Sequence, residues 1–262
     1  MTSPHPYTRY TAIGDSLTEG LGDPDPAGGH RGWADRLAEI LAEHQPGLSY
    51  ANLAVRGKTA AQIRAEQLAP ALELRPDLVT VMAGMNDLVR SGFDAGAVIA
   101  DIEEMFARLT GSGARVATVT FPDLGKVSPL ARRVLPRIVD LNARLRAAAE
   151  RHGVIVLDVY AHPVTTDPRL WADDRLHASP LGHARIASGM AHTLGLPGHD
   201  TWAEPLSVQP PVPMWRAVGA EVRWAVDFLG PWLWRRLRGR SSGDGCSAKR
   251  PQPGPVTQQS AA

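Results

Sequence analysis

Ser16 stands two residues after Gly14, in Gly14-Asp15-Ser16-Leu17, where the apolar run Tyr10-Thr11-Ala12-Ile13 ends. A hydroxyl is a poor nucleophile at neutral pH. It needs a base within hydrogen-bonding reach, a group that orients the base, and donors placed where negative charge develops. Three further polar signals also follow apolar runs: Gly57 in Asn52-Leu53-Ala54-Val55-Arg56-Gly57, the stretch Gly84-Met85-Asn86-Asp87, and Asp174-Arg175-Leu176-His177. Gly57 permits close backbone approach, and Asn86 supplies a neutral side-chain donor. Together these residues offer a candidate for each part that acyl transfer requires.

The elements that would position them are short strands alternating with helices. Strand-like runs cover Tyr10–Ile13, Ser49–Val55, Leu78–Ala83, Arg115–Phe121 and Val154–Val159, each rich in Val, Leu, Ile or Thr, as strands buried on both faces are. Trp33, Leu37, Ile40 and Leu41 share one helical face, as do Val98, Ile102, Met105, Phe106 and Leu109. Ile138, Leu141 and Leu145 mark a third helix that Gly153 stops, and a fourth runs from about Pro180 to Leu194. This alternation predicts an α/β fold with a parallel sheet covered on both faces. The loops at the carboxyl ends of its strands would converge on one crevice. The strand order does not follow from the sequence.

With Ser16, Gly57, Asn86 and His177 in their blocks, the chain resembles the SGNH hydrolases, the GDSL esterases and lipases. The serine block is Gly14-Asp15-Ser16-Leu17-Thr18-Glu19-Gly20, the glycine block Asn52 to Gly57, the third Gly84-Met85-Asn86-Asp87, and the last Asp174 to His177. The resemblance covers about residues 9 to 196. It implies a three-layer α/β/α sandwich of flavodoxin-like type with a five-stranded parallel sheet. It also implies that Ser16 attacks the acyl carbon, His177 moves the proton and Asp174 orients His177. The oxyanion would be held by the Ser16 and Gly57 N–H groups and the Asn86 amide. Asp15, Gly84 and Asp87 would support the active-site turns. No metal or cofactor is required by this chemistry, and the partner is a small-molecule acyl ester.

Each block also has an ordinary reading. Ser16 is a possible N-cap serine, Gly57 a turn glycine and Asn86-Asp87 a helix cap. Asp-x-x-His is often a surface capping arrangement. His183 reads as structural and His152 as a helix-end histidine; Asp173, one residue off the family spacing, is the alternative acid. Phosphate-cradling patterns (Gly-x-Gly-x-x-Gly, Gly-x-x-x-x-Gly-Lys-Ser/Thr) do not follow the first strand, which weighs against a nucleotide-binding domain. A short-chain carboxylester, a thioester, a lysophospholipid or a sugar O-acetyl group would all suit this machinery. A lysophospholipase or acyl-thioesterase acting at a membrane surface is therefore one alternative, and a non-catalytic small-ligand-binding protein on the same fold is the second. The loop Gly20–Gly29 and the segment Pro122–Pro136 are expected to border the substrate pockets.

Net charge is +1 over 262 residues, which argues against a nucleic-acid partner. The single cysteine, Cys246, fits a reducing compartment. With no basic-then-apolar leader at Met1 and no charge-free apolar stretch of about 18 residues, a cytoplasmic location is expected.

Composition changes beyond residue 199. Residues 200–262 carry eight Lys or Arg against five Asp or Glu, and five of the seven tryptophans: Trp202, Trp215, Trp224, Trp232 and Trp234. The expected division is therefore a hydrolase domain over 1–199, a Trp/Arg-rich helical extension over 200–240, and a disordered Ser/Gly/Pro/Gln-rich tail over 241–262. Apolar residues from Met214 to Leu233 form a helical stripe with Pro231 inside it, followed by Arg235, Arg236, Arg238 and Arg240. Residues 214–240 are expected to pack on the α/β domain or a second subunit, or to lie on an anionic membrane surface.

Overall fold

The computed structural model describes residues 7–127, 129–208, 224 and 242–256. In chain order the elements are β1 (Arg9–Gly14), α1 (Ser16–Glu19), α2 (Gly32–His44), β2 (Ser49–Asn52), α3 (Ala60–Glu73), β3 (Leu78–Met82) and α4 (Met85–Leu88). They continue with α5 (Ala95–Gly111), β4 (Arg115–Val119), α6 (Leu124–Val127), α7 (Leu135–Arg151), β5 (Ile155–Leu157), α8 (Pro180–Thr193) and β6 (Arg250–Pro255). The sheet order is β5-β4-β3-β1-β2-β6, with β1 to β5 parallel.

Side chains of each strand alternate between the two helical layers, as the pleat requires. Val79 and Val81 of β3 and Val116 of β4 enter the core beneath α3, α5 and α7, with Ile63, Ile102, Phe106 and Leu141. Tyr10, Ala12, Leu78 and Ala117 face the other way, against Trp33 and Leu37 of α2 and Met190 of α8. The three-layer α/β/α sandwich is thus present, with α2 and α8 packed together on one side and α5 between α3 and α7 on the other.

The chain runs from β1 to β2 on one side, then returns to place β3 on the other side of β1. Helices leaving neighbouring strands toward opposite faces open a crevice at the carboxyl end of β1. Ser16 begins α1 at that end.

The sheet has six strands where five were expected. Residues 250–255, assigned to a disordered tail on composition, pair antiparallel with β2, in register Ser49 with Pro255 and Asn52 with Arg250. Pro251 and Pro253 are compatible with this position because an edge strand leaves half of its N–H positions unpaired. Lys249 secures the entry: its Nζ donates to the carbonyls of His30 (3.0 Å) and Arg31 (2.6 Å) and to Asp35 Oδ2 (2.7 Å). The α/β body also runs past residue 199, since Trp202 is buried among the core residues packed on α8. The expected helix from Met214 to Leu233 and its arginine cluster lie outside the described residues, except for Trp224. Among the described residues, no helix is long and apolar enough to cross a membrane.

Candidate active site

The four blocks come together at the carboxyl end of the sheet. Asp15 caps α1, its Oδ1 accepting from the Leu17 N–H at 3.2 Å, and the hydroxyl of Ser16 donates to His177 Nε2 at 2.9 Å. His177 Nδ1 donates to Asp174 Oδ2 at 2.6 Å. The other oxygen of Asp174 accepts the N–H groups of Leu176 and His177, both at 2.9 Å. Asp174 therefore closes its own turn with one oxygen and orients the imidazole with the other. Burial alone would raise its pKa. The hydrogen bond and charge of His177, with the two backbone donors, outweigh that and hold the carboxyl below its ordinary value.

The glycine block is held from below. Asn52, fully buried, donates to the carbonyl of Thr18 at 2.9 Å and accepts from the Ala54 N–H at 3.1 Å. Arg56 donates its main-chain N–H to Glu19 Oε2 at 2.7 Å and its Nε to Oε1 at 2.9 Å, so α1 and the Gly57 turn are tied together. Gly57 then turns at φ 75°. Gly84 takes φ 112° at the start of α4, a left-handed conformation that favours glycine, and delivers Asn86 and Asp87. Asp87 Oδ2 accepts the Ala60 N–H at the start of α3, at 3.0 Å.

Asn86 Nδ2 makes two hydrogen bonds, to Asp15 Oδ2 at 3.1 Å and to the Lys58 carbonyl at 3.0 Å. The amide is thus fixed between the serine block and the loop that carries Gly57. Asp15 is itself buried, and burial pushes its pKa from the ordinary 3.8 up to about 6.

That shift has a stability consequence with a definite sign. A carboxyl raised on folding contributes stability that is fully present below its unfolded pKa and is lost as pH rises through its folded value. From below pH 4 to above pH 6 the loss at Asp15 adds up to about 3 kcal/mol, at 1.36 kcal/mol per unit. Asp15→Asn is expected to gain stability over wild type by up to that amount as pH rises through this window. Paired urea titrations at pH 4 and pH 7 check it; a pH-independent difference between the two proteins would assign the effect elsewhere.

A pocket of about 850 Å³, counted to its open mouth, adjoins Ser16 and His177. Leu17, Met82, Val119, Val159, Trp171 and Ile186 are among its apolar walls. Of the segment Pro122–Pro136, Pro122 alone is among its described lining residues. The Gly20–Gly29 loop supplies none of the described lining residues; the segment after β5, from Val159 to Trp171, takes that place with Trp202. Gly22 instead backs the histidine loop so closely that a Cβ there would stand 2.1 Å from the Ala178 carbonyl oxygen.

The competing residues have other partners. His183 is buried, accepts the Trp33 N–H at 3.0 Å and donates to the Leu21 carbonyl at 2.9 Å; burial lowers its pKa and keeps it neutral. His152 pairs with Glu103 at the end of α7. Asp174, not Asp173, bonds His177. Sequence reasoning had not singled out Gln67, Glu19 or Arg56. Gln67 is buried and clamps Gly14, accepting its N–H at 2.8 Å and donating to its carbonyl at 2.9 Å, thereby fixing the strand end before Ser16. Its only sequence signal is a polar residue on the buried face of α3.

The family model described as GDSL-like Lipase/Acylhydrolase family matches residues 12–185. An arylesterase of Vibrio mimicus is 28% identical over 191 residues, covering 71% of this chain and 88% of that protein. Among solved structures, an α/β hydrolase enzyme from the metagenome of Lake Arreo, Spain, superimposes with a TM-score of 0.60 at 23% identity over 72% of this chain and 95% of that one. An acetyl xylan esterase from Geobacillus stearothermophilus gives 0.59 at 18% identity, covering 77% and 97%. The family match and the arylesterase likeness define an ester-hydrolysing hydrolase. The chain belongs to the GDSL-like lipase/acylhydrolase family.

Proposed function

We propose that this enzyme hydrolyses carboxylic esters of apolar acyl groups through a covalent acyl-enzyme on Ser16. The observation that carries the reading is the hydrogen-bonded chain Ser16–His177–Asp174, at 2.9 and 2.6 Å, beside an apolar pocket. Ser16 Oγ attacks the acyl carbon while His177 Nε2 takes its proton. The imidazolium that forms faces the Asp174 carboxylate, which stabilises it and fixes the tautomer. His177 then passes the proton to the leaving alkoxide. In the second half the same nitrogen takes a proton from water as the water oxygen attacks the acyl carbon. The bond to Ser16 Oγ then breaks, His177 returns the proton to that Oγ, and the acid leaves.

The tetrahedral oxyanion is met by the N–H groups of Ser16 and Gly57 and by Asn86. Because Asn86 Nδ2 is engaged by Asp15 and the Lys58 carbonyl, its donation to the oxyanion shares or replaces one of those bonds. The two bonds keep the amide oriented between turnovers, which limits reorganisation as charge develops.

A fluorophosphonate probe together with p-nitrophenyl esters from acetate to decanoate tests the reading. Wild type is expected to be labelled on Ser16. kcat/KM should rise through the early members of the series, by up to about 4-fold for each methylene that enters the pocket. An unlabelled wild type, or labelling that survives Ser16→Ala, would overturn the nucleophile. A series that peaks at acetate would overturn the apolar acyl site.

A further inference from the structure

Trp224 comes from the tryptophan- and arginine-rich stretch, far along the chain from the four blocks, yet it touches one of them. Its indole Nε1–H donates to the main-chain carbonyl of Asp174 at 3.0 Å. The guanidinium of Arg175 lies over its ring, 5.0 Å from the centroid. The residue is half-buried and does not line the acyl pocket.

The segment it grips is a small closed turn. Trp171 and Ala178 form its bridge, the Ala172 N–H donates to the His177 carbonyl at 2.9 Å, and the Arg175 N–H donates to the Ala172 carbonyl at 2.9 Å. Arg175 takes φ 56°, a conformation that non-glycine residues enter at a cost and keep only when their surroundings enforce it. That turn is what brings the N–H groups of Leu176 and His177 onto Asp174 Oδ1. Trp224 holds both residues of the peptide at its tip: the carbonyl of Asp174 by hydrogen bond, the side chain of Arg175 by its ring face. A drift of this peptide would carry the Asp174 carboxyl with it, and through it the imbalance would reach His177 Nδ1.

We propose that Trp224 is a positioning residue for the catalytic base, acting in cis through the Asp174–His177 turn to keep His177 Nε2 aimed at Ser16. The inference rests on Ser16 and His177 being the nucleophile and base. It gives the stretch that contains Trp224 a part in catalysis within the same chain.

The test compares full-length wild type with Trp224→Phe, which keeps the ring face and removes the N–H, and with Trp224→Ala, which removes both. The readouts are the second-order rate of inactivation by a small alkyl fluorophosphonate, kcat and KM for p-nitrophenyl acetate and octanoate, and Tm. Trp224→Phe is expected to slow inactivation and lower kcat by about 5-fold, the loss of one neutral hydrogen bond. Trp224→Ala should lose about 30-fold, since the cation–π contact goes as well. Both losses should be equal for the two esters, with KM within about 2-fold. A role in acyl binding would instead grow with chain length and appear in KM. A merely structural role would lower Tm and leave the reactivity of the folded enzyme unchanged. Either outcome overturns the proposal, as do inactivation rates within 2-fold of wild type. If the alanine variant does not fold, the phenylalanine variant decides alone. An unlabelled wild type would bring down the Ser16 reading and this inference with it, whereas a labelled wild type with unaffected Trp224 variants would remove this inference only.

Discussion

Ser16→Ala is expected to lower kcat for an activated ester by on the order of 10⁶-fold, and His177→Ala by a similar factor. The two losses should not add, because an attacking hydroxyl without a base and a base without a hydroxyl leave the same residual activity. What survives is binding and oxyanion stabilisation, which require neither side chain. Ser16 opens α1 through its backbone, and the cap of that turn comes from Asp15, not from Ser16 itself, so the alanine variant should keep the wild-type Tm within a few degrees. Single-turnover release of p-nitrophenol from p-nitrophenyl butyrate measures the effect in wild type and both variants without interference from slow deacylation. A loss below about 100-fold in either variant would mean that the 2.9 Å contact between Ser16 and His177 is not the reacting pair.

What the sequence disclosed about this site, and what it hid, divides along a physical line. The strands β1 and β3 to β5 are continuous apolar runs because both faces are covered, and their ends are marked by the residues that must turn: Gly14, Gly84 and Asp158 after Leu157. Polar residues just past such ends stand out against an apolar background, so Ser16 and Asn86 were visible, whereas His177, well beyond the end of β5, was marked by its Asp-x-x-His spacing from Asp174. Gln67, Glu19 and Arg56 were not, since each acts across 37 or 53 positions of chain and nothing local distinguishes a buried polar side chain from an exposed one. The same holds for β6. A segment with two prolines and little apolar surface lacks a strand's side-chain pattern, but an edge position asks only for a few backbone hydrogen bonds and an anchor such as Lys249. The substrate wall was misjudged for a related reason. The Gly20–Gly29 loop follows the serine block closely in sequence, but its Gly22 is used for backbone contact with Ala178. The apolar wall comes instead from the segment after β5, whose position depended on a strand order that the sequence left open.

Asp174→Asn is the variant in which geometry and chemistry separate most cleanly. One carboxyl oxygen accepts from the backbone N–H groups of Leu176 and His177, both at 2.9 Å, and the other accepts from His177 Nδ1 at 2.6 Å. An asparagine must keep its single oxygen on the two backbone donors, because an NH₂ group there would face two N–H groups. Its amide nitrogen then points at His177 Nδ1 and can only donate. The imidazole is driven to the tautomer with its proton on Nε2, the nitrogen that must accept from Ser16. The turn stays folded while the base is disabled, and nothing remains to stabilise an imidazolium. kcat at neutral pH is expected to fall by about 10⁴-fold with little change in KM or Tm. Asp173→Asn should stay within about 3-fold of wild type. Steady-state kinetics of both variants with p-nitrophenyl butyrate, beside thermal melts, check the pair. A loss under 10-fold at Asp174 would reduce its role to capping the turn, and a large loss at Asp173 would mean that the acid had been assigned one residue too late.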